Sequence, residues 1–379
     1  KIAFFTESYK PYLNGAIVSI SHLKKELEKR GHIVYLFTSG KKTKEKNVFY
    51  CPKISIEEGY GICFPYYKQS DILKKVDILH THQPFVLGLY AKLKSSINKK
   101  PLLATYHTVY HNSSNYVPVL GERTNSFIKF FVGKFINSCN KVIIPTPSVK
   151  KIAIDEYKIK PEKIEMIPTG LSYPLVSKLS VDKLKKNLKI KDKKVLTFCG
   201  RLGKEKDVEF IIESFKHIYE KDKQTVLFII GKGPLYKKLN FLIKKLELED
   251  SVSLVGEVKN KKVMEYFALT DIYLSASKSE TQGFSLLEAM FSKCVPVIFS
   301  VPGFVDVVTN NKNAVFVSKR DTKIYAKAVL DLLSNKKRLE KMKKQAQIRA
   351  KEFRIEKTTD KLEKLYKQLI KEKKNWRWR

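Results

Sequence analysis

Two acidic residues, Glu280 and Glu288, lie eight positions apart in the segment SETQGFSLLEAM, on either side of a glycine-containing turn. Their neighbours are largely apolar, and a carboxylate in apolar surroundings is costly without a partner. Phe284 and Ser285 follow Gly283 and begin a predicted helix, whose first N–H groups and partial positive charge suit a phosphate. Glu288 lies one turn into this helix, where it would accept hydrogen bonds from a ribose diol. Glu280 would accept them from a sugar.

The same two glutamates also fit a structural role, in which the turn caps the helix and Glu288 pairs with the helix dipole. A second motif, GRLGKEKD, favours the functional interpretation. Arg201 and Lys206 directly follow a predicted strand, and both can reach one anion across the loop. Two fixed cations would neutralise a departing diphosphate, and preorganised charge of this kind is often the largest catalytic contribution. In so basic a chain the alternative is a pair of surface charges.

Gly15 and His107 occupy comparable positions in the first half of the chain. Gly15 follows the strand KIAFFT through an Asn14-Gly15 turn, and His107 follows the strand PLLATY. Glycine allows the close backbone approach that a diphosphate needs, although an ordinary turn explains it equally well. A histidine at a strand end is more often packed or hydrogen-bonded than catalytic, so His107 gains weight from the residues around it.

The pattern of strands and helices predicts an α/β fold with two Rossmann-like, doubly wound domains and C-terminal helices. A β-loop-α-β unit opens the chain, and the alternation restarts near KKVLTFCGRL. We predict an N-terminal domain over residues 1–175, a nucleotide-sugar domain over 176–350, and a basic helix and tail over 351–379. Ligands of such sheets bind beyond the carboxyl ends of the strands, where all these polar residues fall, which predicts a site between the domains.

Composition limits the remaining classes. The five cysteines are scattered, odd in number and lack a Cys-x-x-Cys pair, which argues against disulfides and structural zinc and favours a reducing cytoplasm. No apolar run is long enough to span a bilayer, and the opening KIAFFTESY lacks the pattern of a signal peptide, so we expect no secretion. There is no Walker loop, no Gly-x-Gly-x-x-Gly and no Asp-x-Asp, so we expect no tightly bound metal. His80 and His82 have metal-like spacing, but without an acidic third ligand we interpret them as structural.

These motifs, and their order along the chain, resemble those of the retaining glycosyltransferases of the GT-B fold, in family four (GT4). The resemblance is carried by ETQGFSLLE, AMFSKCVPVI, GRLGKEKD, GKGP, PTG and FTESYKPYLNGAIVSI, which extend from about residue 2 to residue 318. The segments SETQG and ATYHTVYHN are most similar to bacterial glycolipid synthases, above all the diacylglycerol glucosyltransferases. The resemblance implies two domains that face a cleft, a UDP-sugar donor without a cofactor, and retention of anomeric configuration by departure and attack on one face.

The resemblance also implies a role for each candidate residue. Arg201 and Lys206 would bind the donor diphosphate from one domain and Gly15 from the other. Glu280, with the N–H groups at Gly283, Phe284 and Ser285, would position sugar and phosphate. Glu288 would bind the ribose, and His107 would lie beside the transferred sugar.

The acceptor and the sugar remain open at this stage. Diacylglycerol with glucose is the expected pair, and galactose, a soluble sugar or a lipopolysaccharide-type acceptor are the alternatives. A sugar-nucleotide binder without activity is disfavoured because every motif residue is present. The sequence makes no prediction of the oligomeric state.

A net charge of +36 attracts polyanions, either nucleic acid or anionic lipid. The basic residues are not interleaved with aromatics and no nucleic-acid motif is present, so we expect no nucleic-acid partner. The segment TNSFIKFFVGKFINSCNKV has the composition of an interfacial helix, although a helix with these phenylalanines in the core is the alternative. Trp376 and Trp378 in the tail favour a headgroup region. We therefore predict a cytoplasmic protein, peripheral on the inner face of the cell membrane. In the segment TNSFIKFFVGKFINSCNKV, the apolar residues that would enter the membrane interface are Phe127, Ile128, Phe130, Phe131 and Phe135.

Overall fold

The computed structural model describes residues 1–10, 15–39, 42, 44–57, 60–65, 67–68, 70–107 and 123–375. The chain forms two compact units, one of Lys1–Leu171 with Ile355–Arg379 and one of Ser172–Arg354. Asn14, Trp376, Trp378 and the part of ATYHTVYHN beyond His107 lie outside the described residues.

A parallel sheet of seven strands forms the centre of the first unit, in the order β3-β2-β1-β6-β7-β8-β9, and β4 and β5 form an antiparallel hairpin. The strands are β1 (Ile2–Thr6), β2 (Val34–Ser39), β3 (Val48–Cys51), β4 (Lys53–Glu57), β5 (Tyr60–Cys63), β6 (Ile78–Thr81), β7 (Leu102–Thr105), β8 (Lys141–Ile144) and β9 (Ile164–Met166). The helices that follow in this part of the chain are α1 (Gly15–Lys29), α2 (Val86–Ile97), α3 (Arg123–Asn137) and α4 (Pro147–Asp155).

Strand β1 shows why this sheet is covered on both sides. All its residues are buried, and alternate side chains enter two different apolar clusters. Ala3 and Phe5 pack in the cluster that contains residues of α2 and α3, whereas Ile2 and Phe4 pack in the cluster that contains residues of α1. Successive side chains of a strand point to opposite faces, so a continuous apolar run fits a parallel sheet between two helical layers.

The second unit repeats this architecture with a parallel sheet of six strands, in the order β12-β11-β10-β13-β14-β15. The strands are β10 (Lys194–Cys199), β11 (Thr225–Ile230), β12 (Val252–Gly256), β13 (Ile272–Ser275), β14 (Val295–Phe299) and β15 (Val315–Val317). The helices are α5 (Lys178–Asn187), α6 (Val208–Lys221), α7 (Tyr236–Lys245), α8 (Asn260–Leu269), α9 (Phe284–Phe291), α10 (Phe304–Val307), α11 (Thr322–Ser334) and α12 (Lys336–Ala350). The predicted class, two doubly wound α/β domains with C-terminal helices, therefore describes the fold.

The last helix, α13 (Ile355–Asn375), belongs to the first unit although it follows the second in the chain. Leu362 and Leu365 are buried in the same cluster as residues of α1, and Arg30, which directly follows α1, donates to Asp360 at 2.7 Å. The sequence predicted residues 351–379 as a separate basic helix and tail. The buried stripe instead makes this helix part of the N-terminal unit, because its apolar face needs a partner to cover it.

Candidate active site

The carboxyl ends of β10 and β13 place the predicted diphosphate-binding residues side by side. The two strands pair in parallel, with Thr197 opposite Tyr273, so the loops that follow them leave the sheet at one edge. The Lys278 N–H donates to the carbonyl of Glu205 at 2.9 Å and joins the two loops. The Lys206 ammonium pairs with the Glu280 carboxylate, and both side chains are mostly buried. The structure thus brings together two residues that lie 74 positions apart in the chain.

An ion-pair network also joins the loops that follow β10 and β13. The Asp207 carboxylate accepts from the Arg320 guanidinium at 2.7 Å and lies 3.2 Å from the Lys278 ammonium. Arg320 also donates to the carbonyl of Ala276 at 2.8 Å, so it bridges the loop after β10 and the loop after β13. Lys206 and Glu280 are consequently held by neighbours that are fixed themselves.

Arg201 is exposed at the start of the loop after β10. The GKGP segment after β11 supports this loop, because the Leu202 N–H donates to the carbonyl of Lys232 at 3.0 Å. Gly231 has a φ of +135°, and a Cβ there would lie 1.9 Å from the carbonyl oxygen of Gly200. Only glycine permits this approach. The segment is too short for a nucleotide-binding glycine motif, and it instead holds the backbone that carries Arg201.

Gly283 supplies the turn that starts helix α9. Its φ is +79°, and a Cβ there would lie 2.4 Å from a ring carbon of Phe304. The Leu287 N–H donates to the carbonyl of Gly283 at 3.1 Å, so the N–H groups of Phe284 and Ser285 precede the hydrogen-bond ladder of the helix. Such groups are available to an anion. The Ser285 hydroxyl shares a 2.8 Å hydrogen bond with the Tyr273 hydroxyl.

Glu288 is buried at the same edge of the sheet, with 7% of its surface exposed. Asn260, at the start of α8, donates to Glu288 Oε1 at 2.7 Å. Burial raises the pKa of Glu288 to about 7, although the Asn260 bond opposes this shift. The Glu288 charge also contributes to raising the pKa of Cys199, after burial, which places the carboxylate beside the end of β10. Glu288 is therefore oriented by Asn260 and carries a proton that is easily lost near neutral pH.

The raised pKa of Glu288 predicts a stability difference that depends on pH. The folded pKa of about 7 exceeds the ordinary value of 4.5, so this stabilising contribution is complete below about pH 4.5 and is lost as pH rises through 7. Glu288→Gln keeps an oxygen for Asn260 but has no charge to bury. We expect the variant to be more stable than wild type at pH 8, on the order of 1–3 kcal/mol in free energy of unfolding, with little difference near pH 4.5.

Urea unfolding of both proteins at pH 5 and pH 8 measures this difference. The comparison of two otherwise identical chains cancels the other titrating groups, including Glu7, whose pKa burial raises to about 8. A difference that is the same at both pH values would contradict the buried, readily protonated Glu288.

The other two predicted site residues lie in the first unit. Gly15 is exposed and is the first residue of α1. His107 is half-buried and lies two residues after the end of β7. Burial lowers its pKa to about 4, so its ring is neutral near pH 7. His82 lies 3.0 Å from it, from His82 Nδ1 to His107 Nε2. The prediction that His80 and His82 are structural holds for their burial, but His82 also contacts a candidate site residue.

Two residues of the site were missed by reasoning from the sequence. Asn260 follows β12 in GEVKN, and the strand-end rule that selected Arg201 applies to it as well. Tyr273 lies inside the apolar strand β13, where the sequence indicates a core residue. Only the folded chain shows that its hydroxyl bonds to Ser285.

The part of the chain that the structure describes contains no group of three or more His, Cys, Asp or Glu residues that could hold a metal ion. The expectation that transfer needs no tightly bound metal stays a prediction.

Family models and relatives agree with the motifs. Residues 13–172 match the model described as Glycosyltransferase Family 4, and residues 180–349 match the model described as Glycosyl transferases group 1. An alpha-monoglucosyldiacylglycerol synthase of Acholeplasma laidlawii is 30% identical and aligns over 98% of this chain and 97% of its own. One of Streptococcus pneumoniae is 29% identical, over 88% of this chain and 78% of its own. The chain belongs to glycosyltransferase family 4, and the predicted enzyme class is confirmed.

Solved structures share the fold at lower sequence identity. The Anabaena protein HepE in complex with UDP-glucose superimposes with a TM-score of 0.79 and 17% identity, over 97% of this chain and 99% of its own. WaaG, a glycosyltransferase involved in lipopolysaccharide biosynthesis, gives a TM-score of 0.72 and 17% identity, over 95% and 99%. The predicted fold class is therefore confirmed over nearly the whole chain.

Proposed function

We propose that this enzyme transfers glucose from UDP-glucose to diacylglycerol at a membrane surface, with retention at the anomeric carbon. The names of the two relatives, which both describe monoglucosyldiacylglycerol synthesis, support this substrate pair. The complex of HepE with UDP-glucose supports a nucleotide-sugar donor.

The observation that carries the donor assignment is the paired Lys206 and Glu280 beside the start of α9. A diphosphate would accept hydrogen bonds from Lys206 and Arg201 and from the N–H groups of Phe284 and Ser285. The donor would then replace Glu280 as the partner of Lys206 and release the carboxylate toward the sugar hydroxyls. Glu288, oriented by Asn260, would bind the ribose.

The chemical step follows from these charges. As the bond between sugar and phosphate breaks, negative charge grows on the diphosphate, where the two cations and the helix N-terminus stabilise it. A covalent intermediate would require a carboxylate nucleophile near the anomeric carbon, as in retaining glycosidases. Glu280 would bind sugar hydroxyls and Glu288 the ribose, which leaves neither carboxylate for that role. We therefore favour departure and attack on the same face, with the leaving phosphate taking the acceptor proton. His107 would lie beside the sugar and Gly15 beside the diphosphate.

A membrane acceptor requires that the enzyme reach a lipid surface. Among the described residues, no helix combines the length and the apolar character needed to cross a bilayer. The net charge of +36 favours an anionic surface. We propose that the enzyme is peripheral on the inner, cytoplasmic face of the membrane and has no nucleic-acid partner.

An exposed apolar surface on two neighbouring helices suits this role. Helices α2 and α3 pack together through Gly88, where a Cβ would lie 3.0 Å from the Phe135 ring. Exposed side chains on α2 repeat every four residues and those on α3 are three apart, so each set forms one face. Lys134 lies over the Phe130 ring, 5.1 Å from its centroid, and places a cation beside this surface. We call the set the α2–α3 surface: Leu89, Leu93, Ile97, Phe127 and Phe130.

Helix α3, the predicted interfacial helix, has some of its apolar residues at the surface and others in the core, so each of the two interpretations describes part of it. Phe127 is 67% exposed and Phe130 is 61% exposed, as an interfacial helix requires. Ile128, Phe131 and Phe135 pack in the core of the first unit, as an ordinary domain helix requires. Only the first pair is available to a membrane.

Chelation tests the proposed metal independence. If Arg201 and Lys206 replace a metal at the diphosphate, 5 mM EDTA should leave the rate of transfer within about twofold of the untreated enzyme, because the neutralising charge belongs to the protein. The measurement is the initial rate with and without EDTA, followed by readdition of Mg²⁺ or Mn²⁺. A loss of activity that either ion restores would contradict the prediction.

One assay tests the substrate pair. Purified enzyme is incubated with labelled UDP-glucose or UDP-galactose and vesicles that contain diacylglycerol and phosphatidylglycerol, and the lipid products are identified. We expect a monoglucosyl product with the α configuration. A product only from UDP-galactose would change the sugar, and transfer only to a soluble sugar would overturn the membrane acceptor.

A further inference from the structure

Three histidines of the first unit lie in contact beneath the end of its sheet. His80 lies in β6 and His82 directly follows this strand, while His107 follows the neighbouring β7. The ring centroids of His80 and His82 are 4.3 Å apart, and those of His82 and His107 are 5.2 Å apart. Nothing in the donor chemistry proposed above uses His80 or His82.

His80 is fully committed to its neighbours. Its Nδ1 shares a 2.6 Å hydrogen bond with the Tyr366 hydroxyl of α13, and its Nε2 shares one of 2.6 Å with the Thr105 hydroxyl. Burial lowers the pKa of His80 to about 3 and raises the pKa of Tyr366, so both groups are neutral near pH 7. The His80 ring is thereby fixed in the sheet.

Ring packing holds His82 on the side of its Nε2, where no hydrogen bond does. The His80 ring covers one side of it, and the Phe4 ring packs edge-on with its centroid at 4.8 Å and an interplanar angle of 76°. His82 is 2% exposed, and its Nε2 has no hydrogen-bond partner among the residues that the structure describes. Its Nδ1 makes the 3.0 Å bond to His107 Nε2.

This arrangement fixes what His107 can present. Burial lowers the pKa of both His82 and His107, so two neutral rings share one N–H···N hydrogen bond. Whichever ring donates, Nε2 of His107 is occupied by this bond, so His82 determines which way this edge of the His107 ring faces. His82 also lines a small, mostly apolar cavity, in which Ser19 and Thr358 are the hydroxyl-bearing neighbours.

We propose that His82 is a positioning residue, which sets the ring orientation and the tautomer of His107 for sugar transfer. This inference rests on the proposed function, because it assumes that His107 acts beside the sugar. A ring held on one edge by a packed partner cannot rotate freely, and a misplacement of about 1 Å at a reacting centre can cost about 100-fold in rate.

Two isosteric variants separate positioning from bulk structure. In His82→Asn the amide lies where Nδ1 was and can still bond to His107, whereas in His82→Gln it lies nearer the former Nε2 and cannot. Both variants are polar and similar in size. We expect His82→Asn to stay within about fivefold of wild type and His82→Gln to lose roughly 10- to 100-fold in kcat, with a smaller change in KM for the UDP-sugar. Thermal unfolding of both variants, compared with wild type, measures the cost to the fold.

A spectroscopic readout is independent of activity. In protein labelled with ¹⁵N-histidine, the Nε2 resonance of His107 should shift in His82→Gln and remain near its wild-type position in His82→Asn. A purely structural role would instead lower the unfolding temperature and the activity of both variants in parallel, with no selective change at His107.

His107→Ala separates the role of His107 in sugar transfer from the positioning role of His82. If His107→Ala is as active as wild type, the role of His107 in the proposed function is wrong and the positioning role falls with it. If His107→Ala is inactive while His82→Gln matches His82→Asn in kcat and in the His107 spectrum, the proposed function stands and the positioning role is overturned. A loss confined to His82→Gln supports it.

Discussion

Arg201→Ala is expected to lower kcat/KM for sugar transfer by roughly 30- to 1,000-fold, with the free energy of unfolding almost unchanged. The guanidinium is exposed at a strand end, so its removal leaves no cavity in the core. What is lost is positive charge where the diphosphate gains negative charge as the sugar leaves. Initial rates with UDP-glucose and diacylglycerol vesicles, together with urea unfolding, measure both quantities.

Lys206→Ala should lose at least as much, because it removes the cation and also leaves the mostly buried Glu280 carboxylate without its partner. Lys204→Ala is the matched control: Lys204 lies in the same loop, is exposed, and has the same charge. We expect that control to keep wild-type activity. Near-normal turnover in Arg201→Ala or Lys206→Ala would rule out the diphosphate assignment, and an equal loss in Lys204→Ala would reduce it to a general charge effect.

The fold was predictable from the sequence because its signals are local. Apolar strands such as VLFII and KVII alternate with helices of the expected period, and candidate residues such as Arg201 and Glu280 lie in the loops that follow strands. In a parallel sheet that position determines which edge a residue occupies, so Arg201 and Glu280 were placed correctly relative to β10 and β13 without coordinates.

The contacts that orient the site were not predictable, because they join distant positions. Lys206 and Glu280 were expected to bind donor groups separately, and nothing in their spacing indicates that they bind each other. Asn260 is 28 residues from Glu288, and His82 is 25 residues from His107. The return of α13 to the first unit is of the same kind, since an apolar stripe shows that a helix needs a partner but not which sheet provides it.

The second large expected effect is a loss of vesicle binding when the exposed phenylalanines of α3 are replaced, because only these rings of the helix are accessible to a membrane. Phe127→Ser with Phe130→Ser should weaken binding to phosphatidylglycerol vesicles by roughly 30-fold or more, because each phenylalanine that enters the interface contributes on the order of 1–2 kcal/mol of apolar burial. The fold should be unaffected, since both rings are more than half exposed. Sedimentation with vesicles and thermal unfolding measure the two quantities separately.

Phe135→Ser is the matched control on the same helix. Phe135 is 5% exposed and packs in the core of the first unit, so its truncation should cost about 3–5 kcal/mol of stability rather than act on the membrane. Wild-type enzyme should bind anionic vesicles, bind neutral ones weakly and be released by 1 M salt, because the lysines around the α2–α3 surface act through screened charge. If the Phe127 and Phe130 double variant sediments like wild type, the α2–α3 surface is not the docking site. If wild-type protein ignores both kinds of vesicle at low salt, the membrane acceptor itself gives way to a soluble one.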